Sequence, residues 1–356
     1  MHRERTGAFA PGRVNLIGEF TDYNRGLALP FAIGEGVTVR AEACDPGSPG
    51  ADRIYAHARD LGEHDEFPLA DPSPAPGWRA FVRGTVGELG RGGFPLVGAR
   101  LEIGGEVPRG AGLSSSAALE VALCLALLEL GSGDRSWQHG DFDRLEIARL
   151  CSRVENDWVG ASTGLLDQLA SIFGLPECAL CIDFRTLQID PVPLALHGWR
   201  LVLLDSGERH ENASSGYNER RAECARACEL LGVESLREAT AEAVVQLPEP
   251  LRLRASHVVG ENDRVRATVA ALRAGDLAAV GPLLNASHES LRDRYEVSTA
   301  AVETTVERLL GAGAAGARVV GGGFGGSVLG LFAPGVPPPA EVREVRPGPG
   351  AHLLAA

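Results

Sequence analysis

The sequence contains no lysine: all 34 of its basic side chains are arginine. That absence excludes a Walker A loop, whose lysine reaches the terminal phosphates, and the strand lysine of the protein kinases. It also excludes Schiff-base chemistry, which needs a side-chain amine. Long hydrophobic runs are missing too. The longest apolar stretch, near Ala117–Leu130, carries Glu120 and Glu129 and is too short and too acidic to span a bilayer. The N-terminal MHRERTGAFAPG has basic residues but lacks the apolar core of a signal peptide. Seven cysteines, an odd number in a chain of this size, do not suggest a disulfide framework. Cys178 and Cys181 form a CxxC with no second pair at zinc-ribbon spacing, so inert thiols are expected rather than a redox or metal centre. No repeat of fixed period is present. With a net charge of −13, general attraction to nucleic acid or anionic membrane is not expected. A cytoplasmic protein is the economical expectation, with a local basic pocket for a phosphorylated ligand still allowed.

What is present is an ordinary globular composition, 44% apolar and 23% charged, over 356 residues, long enough for about two domains. Strands are expected over Ala8–Ile17, around Val37–Ala43, Cys181–Phe184 and Trp199–Leu204, and over Ala317–Val320. Helices are expected after Ser114–Ser116, over Asp141–Asn156, and over Asn218–Leu231, Asn262–Ala274 and Val302–Leu309. The C-terminal end reads as a loose Pro/Gly-rich tail. Strands and helices alternate in two halves, which indicates a mixed α/β or α+β protein with a switch near residue 180.

Polar groups crowd one apolar segment, GRVNLIGEFTDYN. Val14, Leu16 and Ile17 suit a buried strand, yet Arg13, Asn15, Glu19 and Asp22 stand among them. The residues alone leave open what needs a guanidinium and two carboxylates this close; the bland reading is a surface salt bridge of Arg13 with Glu19 or Asp22.

Three further stretches carry chemistry. In PRGAGLSSSAA, Gly110 and Gly112 free the backbone, and unpaired amides at a helix start attract phosphate. Serine hydroxyls there could bond phosphate or ligate Mg²⁺, or simply cap the helix. In ENDWVGASTGLLDQ, Glu155 and Asp167 flank a run of small residues, as functional acids at a pocket edge or as helix caps. GGGFGG satisfies G-x-G-x-x-G, but SVLGLFAP after it reads as a strand rather than a helix. A strand–glycine turn–strand, contacting ligand or merely tight, fits better than a dinucleotide site.

Taken together, APGRVNLIGEFTDYN, GAGLSSSAALE, ENDWVG…GLLDQ, SGYNERRAEC, HESLRDRYEVST and GGGFGG resemble the galactokinase family, from about residue 8 to 332. That family is related to homoserine, mevalonate and phosphomevalonate kinases. The resemblance implies an α+β, two-domain sugar kinase. Residues 1–180 would form a domain like ribosomal protein S5 domain 2, and residues 181–356 a ferredoxin-like domain, with the active site in the cleft between. ATP is the implied co-substrate and Mg²⁺ the implied ion, bound through the glycine/serine loop, which agrees with the missing lysine. Residue by residue, the resemblance implies Asp167 as the catalytic aspartate with Arg13 as its partner. Glu19, Asp22, Gly164 and Tyr217 match sugar contacts. Gly110, Ala111, Gly112, Leu113, Ser114 and Ser115 match the phosphate loop, Ser116 and Glu155 the metal ligands, and Trp78 a residue near adenine. Gly321, Gly322, Gly323, Gly325 and Gly326 match a loop near the active site.

The implied reaction is ATP-dependent phosphorylation of the C1 hydroxyl of D-galactose by a single chain. Asp167 would accept or orient the hydroxyl proton while Arg13 neutralises phosphoryl charge. One departure bears on specificity. Galactokinases commonly carry histidine where Phe20 stands, beside the sugar's C6 hydroxyl. Phenylalanine cannot make that hydrogen bond, so the alternatives are a tolerated aromatic replacement, with Glu19 still holding O6, or acceptance of sugars such as D-fucose or L-arabinose. A D-galacturonate kinase and a non-catalytic galactokinase-like sensor complete the range.

Overall fold

The computed structural model describes residues 4–107, 112–161, 163–208 and 213–355. In chain order the strands are β1 (Arg5–Asn15), β2 (Leu27–Ala28), β3 (Pro30–Ala43), β4 (Arg53–Ala58), β5 (Glu63–Pro68), β6 (Ala99–Gly105), β7 (Cys178–Asp183), β8 (Gln188–Pro193), β9 (Arg200–Asp205), β10 (Gly316–Val319), β11 (Ser327–Phe332), β12 (Arg343–Val345) and β13 (His352–Leu353). The helices are α1 (Trp78–Arg91), α2 (Ser115–Gly131), α3 (Arg144–Arg153), α4 (Leu166–Phe173), α5 (Ala213–Leu231), α6 (Ala241–Val244), α7 (Leu251–Arg273), α8 (Leu277–Ser290) and α9 (Ala300–Gly311).

The N-terminal half is a six-stranded sheet ordered β13-β1-β3-β6-β4-β5, antiparallel except where β4 joins β6. Helix α2 lies across β1 and β3 and is apolar on every side, as a helix surrounded by protein must be. This explains why the sequence runs apolar from Ala117 onward. Its two acids are buried as well. Glu129 is satisfied by the Ser136 hydroxyl at 2.9 Å and the Trp137 amide at 3.1 Å; Glu120 faces the site described below.

In the C-terminal half, β10-β11-β9-β12 form an antiparallel sheet. Helix α8 packs on β10, and α9 on β10 and β11. A small third sheet, β2-β7-β8, joins the halves. The expected division at residue 180 falls inside β7, whose Cys178 and Cys181 are free thiols three positions apart and so on opposite faces.

Several expectations are corrected here. Helix α7 starts eleven residues earlier than periodicity indicated, at Leu251 rather than Asn262. Helix α8 is absent from the sequence expectation; it carries Gly281 and Pro282 in its interior, and burial of Val280 and Leu284 outweighs their low helix propensity. Helix α3 ends at Arg153 and continues as a π-helical turn, Val154–Val159. The tail is not loose. Gly348 and Gly350 donate to Ala32 and Gly174 at 2.8 Å each, and β13 pairs with β1. Glycine is required at 350, where a Cβ would lie 2.7 Å from the Ile172 carbonyl. Among the described residues no helix is long and apolar enough to cross a membrane.

Candidate active site

The site begins with an irregularity in β1, whose register with β3 shifts between Pro11 and Arg13. A bulge re-aims the side chain that follows it. At Gly12 a Cβ would lie 2.6 Å from the Leu113 carbonyl, so only glycine lets the segment before α2 approach. The Arg13 amide then donates to Leu113 O at 3.1 Å. The Arg13 side chain is buried, with Nη1 donating to Gly112 O at 2.6 Å and Nε to Asp167 Oδ1 at 2.8 Å. Its Nη2 lies 2.6 Å from the same carboxylate oxygen. Arg13 therefore pairs with Asp167, and not with Glu19 or Asp22.

Asp167 stands in the first turn of α4, and its other oxygen accepts from Ser114 Oγ at 2.5 Å. Ser114 has a left-handed backbone (φ 57°) and caps no helical amide. Its hydroxyl serves Asp167 instead, leaving the first amides of α2 open to an anion. Gly110 and Ala111 lie outside the described residues; Ser115 opens α2.

At the second residue of the helix, Ser116 Oγ donates to Glu155 Oε1 at 2.9 Å. Glu155 sits on the π-helical turn, a distortion often found at functional positions. Its Oε2 accepts from Thr163 Oγ1 and Gln168 Nε2, each at 2.9 Å, and Gln168 Nε2 also reaches Glu120 Oε2 at 3.1 Å. Burial first, then the charge of Asp167, pushes the Glu155 carboxyl up. Burial and the neighbouring Glu155 push Glu120 up in the same way. Hydroxyl and carboxylate oxygens beside open amides form the donor set a hard divalent cation prefers.

A cavity of about 240 Å³ opens beside Asp167. Arg13, Glu19, Phe20, Asp22, Gly164, Asp167, Tyr217, Gly321 and Gly322 line it, so the expected sugar contacts converge on one space. Gly164 permits this: a Cβ there would lie 2.0 Å from Asp22 Oδ2. Asp22 is pushed up to about 6, by burial first and then by the charges of Asp167 and Glu19, against hydrogen bonding from backbone amides. Glu19 Oε1 accepts from the Gly321 amide at 2.8 Å and lies 3.1 Å from Arg318 Nη2. Phe20 has φ 64°, uncommon for a bulky residue, and its ring packs on Tyr295 and Tyr217 with centroids 4.6 and 5.6 Å apart.

GGGFGG is the turn between the antiparallel strands β10 and β11, with no helix after it. Gly323 (φ 70°) abuts Val297, and the Gly326 amide donates to Glu208 O at 3.1 Å, so the far side of the loop is structural. Gly325, with φ 127°, belongs to the same side. Trp78 lies outside the cavity lining; it opens α1 and donates from Nε1 to Glu63 Oε2 at 2.8 Å. Sequence reasoning passed over Thr163 and the placement of Glu120 and Arg318. For the last two a signal existed, a charge inside an apolar run.

Comparison with known proteins places the chain. Residues 2–42 match the galactokinase galactose-binding signature, residues 80–175 the GHMP kinases N terminal domain and residues 268–347 the GHMP kinases C terminal domain. A galactokinase of Mycobacterium bovis is 44% identical over 331 residues, covering 90% of this chain and 87% of that protein. One from Thermotoga petrophila is 40% identical over 321 residues with the same coverage. The crystal structure of Lactococcus lactis galactokinase complexed with galactose superposes with a TM-score of 0.89 at 33% identity, covering 99% of this chain and 96% of that one. Methanococcus jannaschii mevalonate kinase shares the fold at 17% identity, with a TM-score of 0.68 and 98% and 99% coverage. With the galactose-binding signature and both kinase domains matched, and galactokinases 40% and 44% identical over 90% of its length, the chain belongs to the galactokinase family.

Proposed function

We propose that this protein transfers the γ-phosphoryl group of ATP to the C1 hydroxyl of D-galactose, giving α-D-galactose 1-phosphate and ADP. The observation that carries this reading is the Asp167 carboxylate, held by Arg13 and Ser114, at the wall of a cavity that Glu19 and Asp22 also line. A sugar needs several acceptors, and this cavity supplies them. The galactose-binding signature over residues 2–42 and the likeness to the galactose-bound L. lactis enzyme support the choice of sugar.

In this reading Asp167 accepts the C1 hydroxyl's hydrogen bond, aims its oxygen at the γ-phosphorus and takes the proton as the new P–O bond forms. Arg13, fixed at Asp167 Oδ1 and Gly112 O, faces both the carboxylate and the developing phosphoryl charge. Phosphoryl transfer depends mainly on positioning and electrostatics, and both groups are held by more than one contact. Glu19, Asp22 and Tyr217 bind the sugar, and Gly164 leaves room for Asp22. Gly110–Ser115 cradle the phosphates, with Trp78 toward the adenine. Ser116 and Glu155 would hold Mg²⁺, which supplies charge neutralisation on the phosphates when bound. Residues 1–180 carry the sugar signature and phosphate loop, and residues 181–356 the glycine loop. The working unit in this reading is the single chain, acting in the cytoplasm.

Phe20 favours a second reading of specificity. Its ring forms part of the cavity wall, where it offers no hydrogen bond. The test is ADP release with ATP, Mg²⁺ and one sugar at a time: D-galactose, D-fucose, L-arabinose, D-galacturonate and D-glucose, with Asp167→Ala as control. A hundredfold preference for galactose over the sugars lacking the C6 hydroxyl, about 2.7 kcal/mol, is the expected result. Equal or better use of D-fucose or L-arabinose would replace galactose as the substrate. No activity above the control would end both readings.

A further inference from the structure

Arg318, in β10, is wholly buried and spans the two halves of the molecule. Its Nη1 donates to the carbonyls of Asn15 at 2.8 Å and Leu16 at 3.0 Å. Its Nη2 lies 3.1 Å from Glu19 Oε1, the oxygen that also accepts from the Gly321 amide. The Glu19 carbonyl is held independently, 3.2 Å from His257 Nε2. The Glu19 backbone and one carboxylate oxygen are thus pinned, and among the described residues no other cation pairs with that carboxylate.

The cluster is poorly suited to a purely structural role. Arg318 Nε and Nη2 and both amide atoms of Asn15 are buried without hydrogen-bond partners, so Nη2 meets Glu19 as an ion pair alone. A buried ion pair with unsatisfied donors stabilises a fold no better than apolar side chains of similar volume. Such departures from good packing are expected where function imposes them. Here the departure lies directly behind the cavity wall.

We propose that Arg318 is a positioning residue for sugar binding: it fixes the Glu19 carboxylate and ties it to the glycine loop at Gly321. This rests on the reading of Glu19 as a sugar contact. Through Glu19 and the Asn15 and Leu16 carbonyls, the guanidinium holds the sugar signature of one half against the glycine loop of the other. A lysine there would keep the charge but not the planar group whose Nη1 serves two carbonyls while Nη2 faces the carboxylate.

The test compares Arg318→Gln, Arg318→Lys, Glu19→Gln and the double variant Glu19→Gln/Arg318→Gln. KM for the sugar and for ATP, together with kcat, are measured for each. Arg318→Gln is expected to raise the sugar KM at least tenfold with the ATP KM within twofold, and Arg318→Lys to raise it about threefold. Because Arg318 acts through Glu19, the double variant should match Glu19→Gln within twofold. Multiplicative losses in the double variant, or sugar and ATP KM rising in parallel, would overturn the proposal. Should Arg318→Gln not fold, Arg318→Lys decides: a normal sugar KM overturns the proposal, and a raised one with normal ATP KM supports it. A normal sugar KM in Glu19→Gln removes the sugar role of Glu19, and the proposal with it. An impaired Glu19→Gln beside normal Arg318 variants removes the proposal alone.

Discussion

Asp22→Asn should stabilise this protein while weakening its hold on sugar. The Asp22 carboxyl is raised from 3.8 to about 6 in the folded chain, mainly by burial, with Asp167 and Glu19 adding like charge. A group raised on folding binds its proton more tightly in the folded state, so stability falls as pH climbs from about 4 to about 6 and stays low above that. The cost of keeping Asp22 ionised is up to about 3 kcal/mol at pH 8 and about half of that at pH 5. Asparagine has the same shape, can still accept from backbone amides, and carries no charge. Denaturant unfolding at pH 8 without ligand should therefore show Asp22→Asn more stable than the parent, by an amount that shrinks at pH 5. At the same time its sugar KM should rise about tenfold or more, since a charged acceptor is lost from the cavity wall. Equal or lower stability at pH 8, or a gain that does not change between pH 8 and pH 5, would refute the reasoning.

Further outcomes follow from other contacts. Gly164→Ala places its Cβ on Asp22 Oδ2, 2.0 Å away, so it should raise the sugar KM with little change for ATP, at about 1–3 kcal/mol of stability by denaturant titration. Gln168→Leu removes the amide shared by Glu120 and Glu155; it should destabilise by about 1–3 kcal/mol and raise the Mg²⁺ concentration for half-maximal rate. Phe20→His restores a hydrogen-bonding group at the cavity wall and should increase the preference for D-galactose over D-fucose, read as a ratio of kcat/KM values. Chelation of divalent cations should abolish ADP release, with recovery on adding back Mg²⁺.

The sequence exposes the chemistry of this protein better than its architecture. Arg13, Asp22 and Asp167 stand out because charged groups beside apolar or small residues need a reason, and the structure gathers all three around one cavity. The strand–turn–strand reading of GGGFGG holds because Pro334 and the β-rich SVLGLF leave no helix. Elements stabilised only by distant partners were hidden. Helix α8 survives Gly281-Pro282 through burial, and the tail becomes ordered only where it meets Ala32, Gly174 and β1. Likewise, nothing local tells that Ser114 serves Asp167 rather than a helix cap, or that Arg318 reaches Glu19 from 299 positions away in the chain, a pairing that only the folded halves create.

The most direct test of the central claim is single-turnover phosphoryl transfer from ATP to D-galactose by the parent protein and by Asp167→Asn, at saturating sugar and ATP. Asparagine keeps the shape at position 167 but cannot take a proton. The account predicts a transfer rate reduced by about 10²–10⁴-fold while D-galactose still raises the melting temperature of the variant. A variant that transfers phosphate within a few-fold of the parent would contradict the assignment of Asp167, and with it the mechanism built around the Arg13–Asp167 pair.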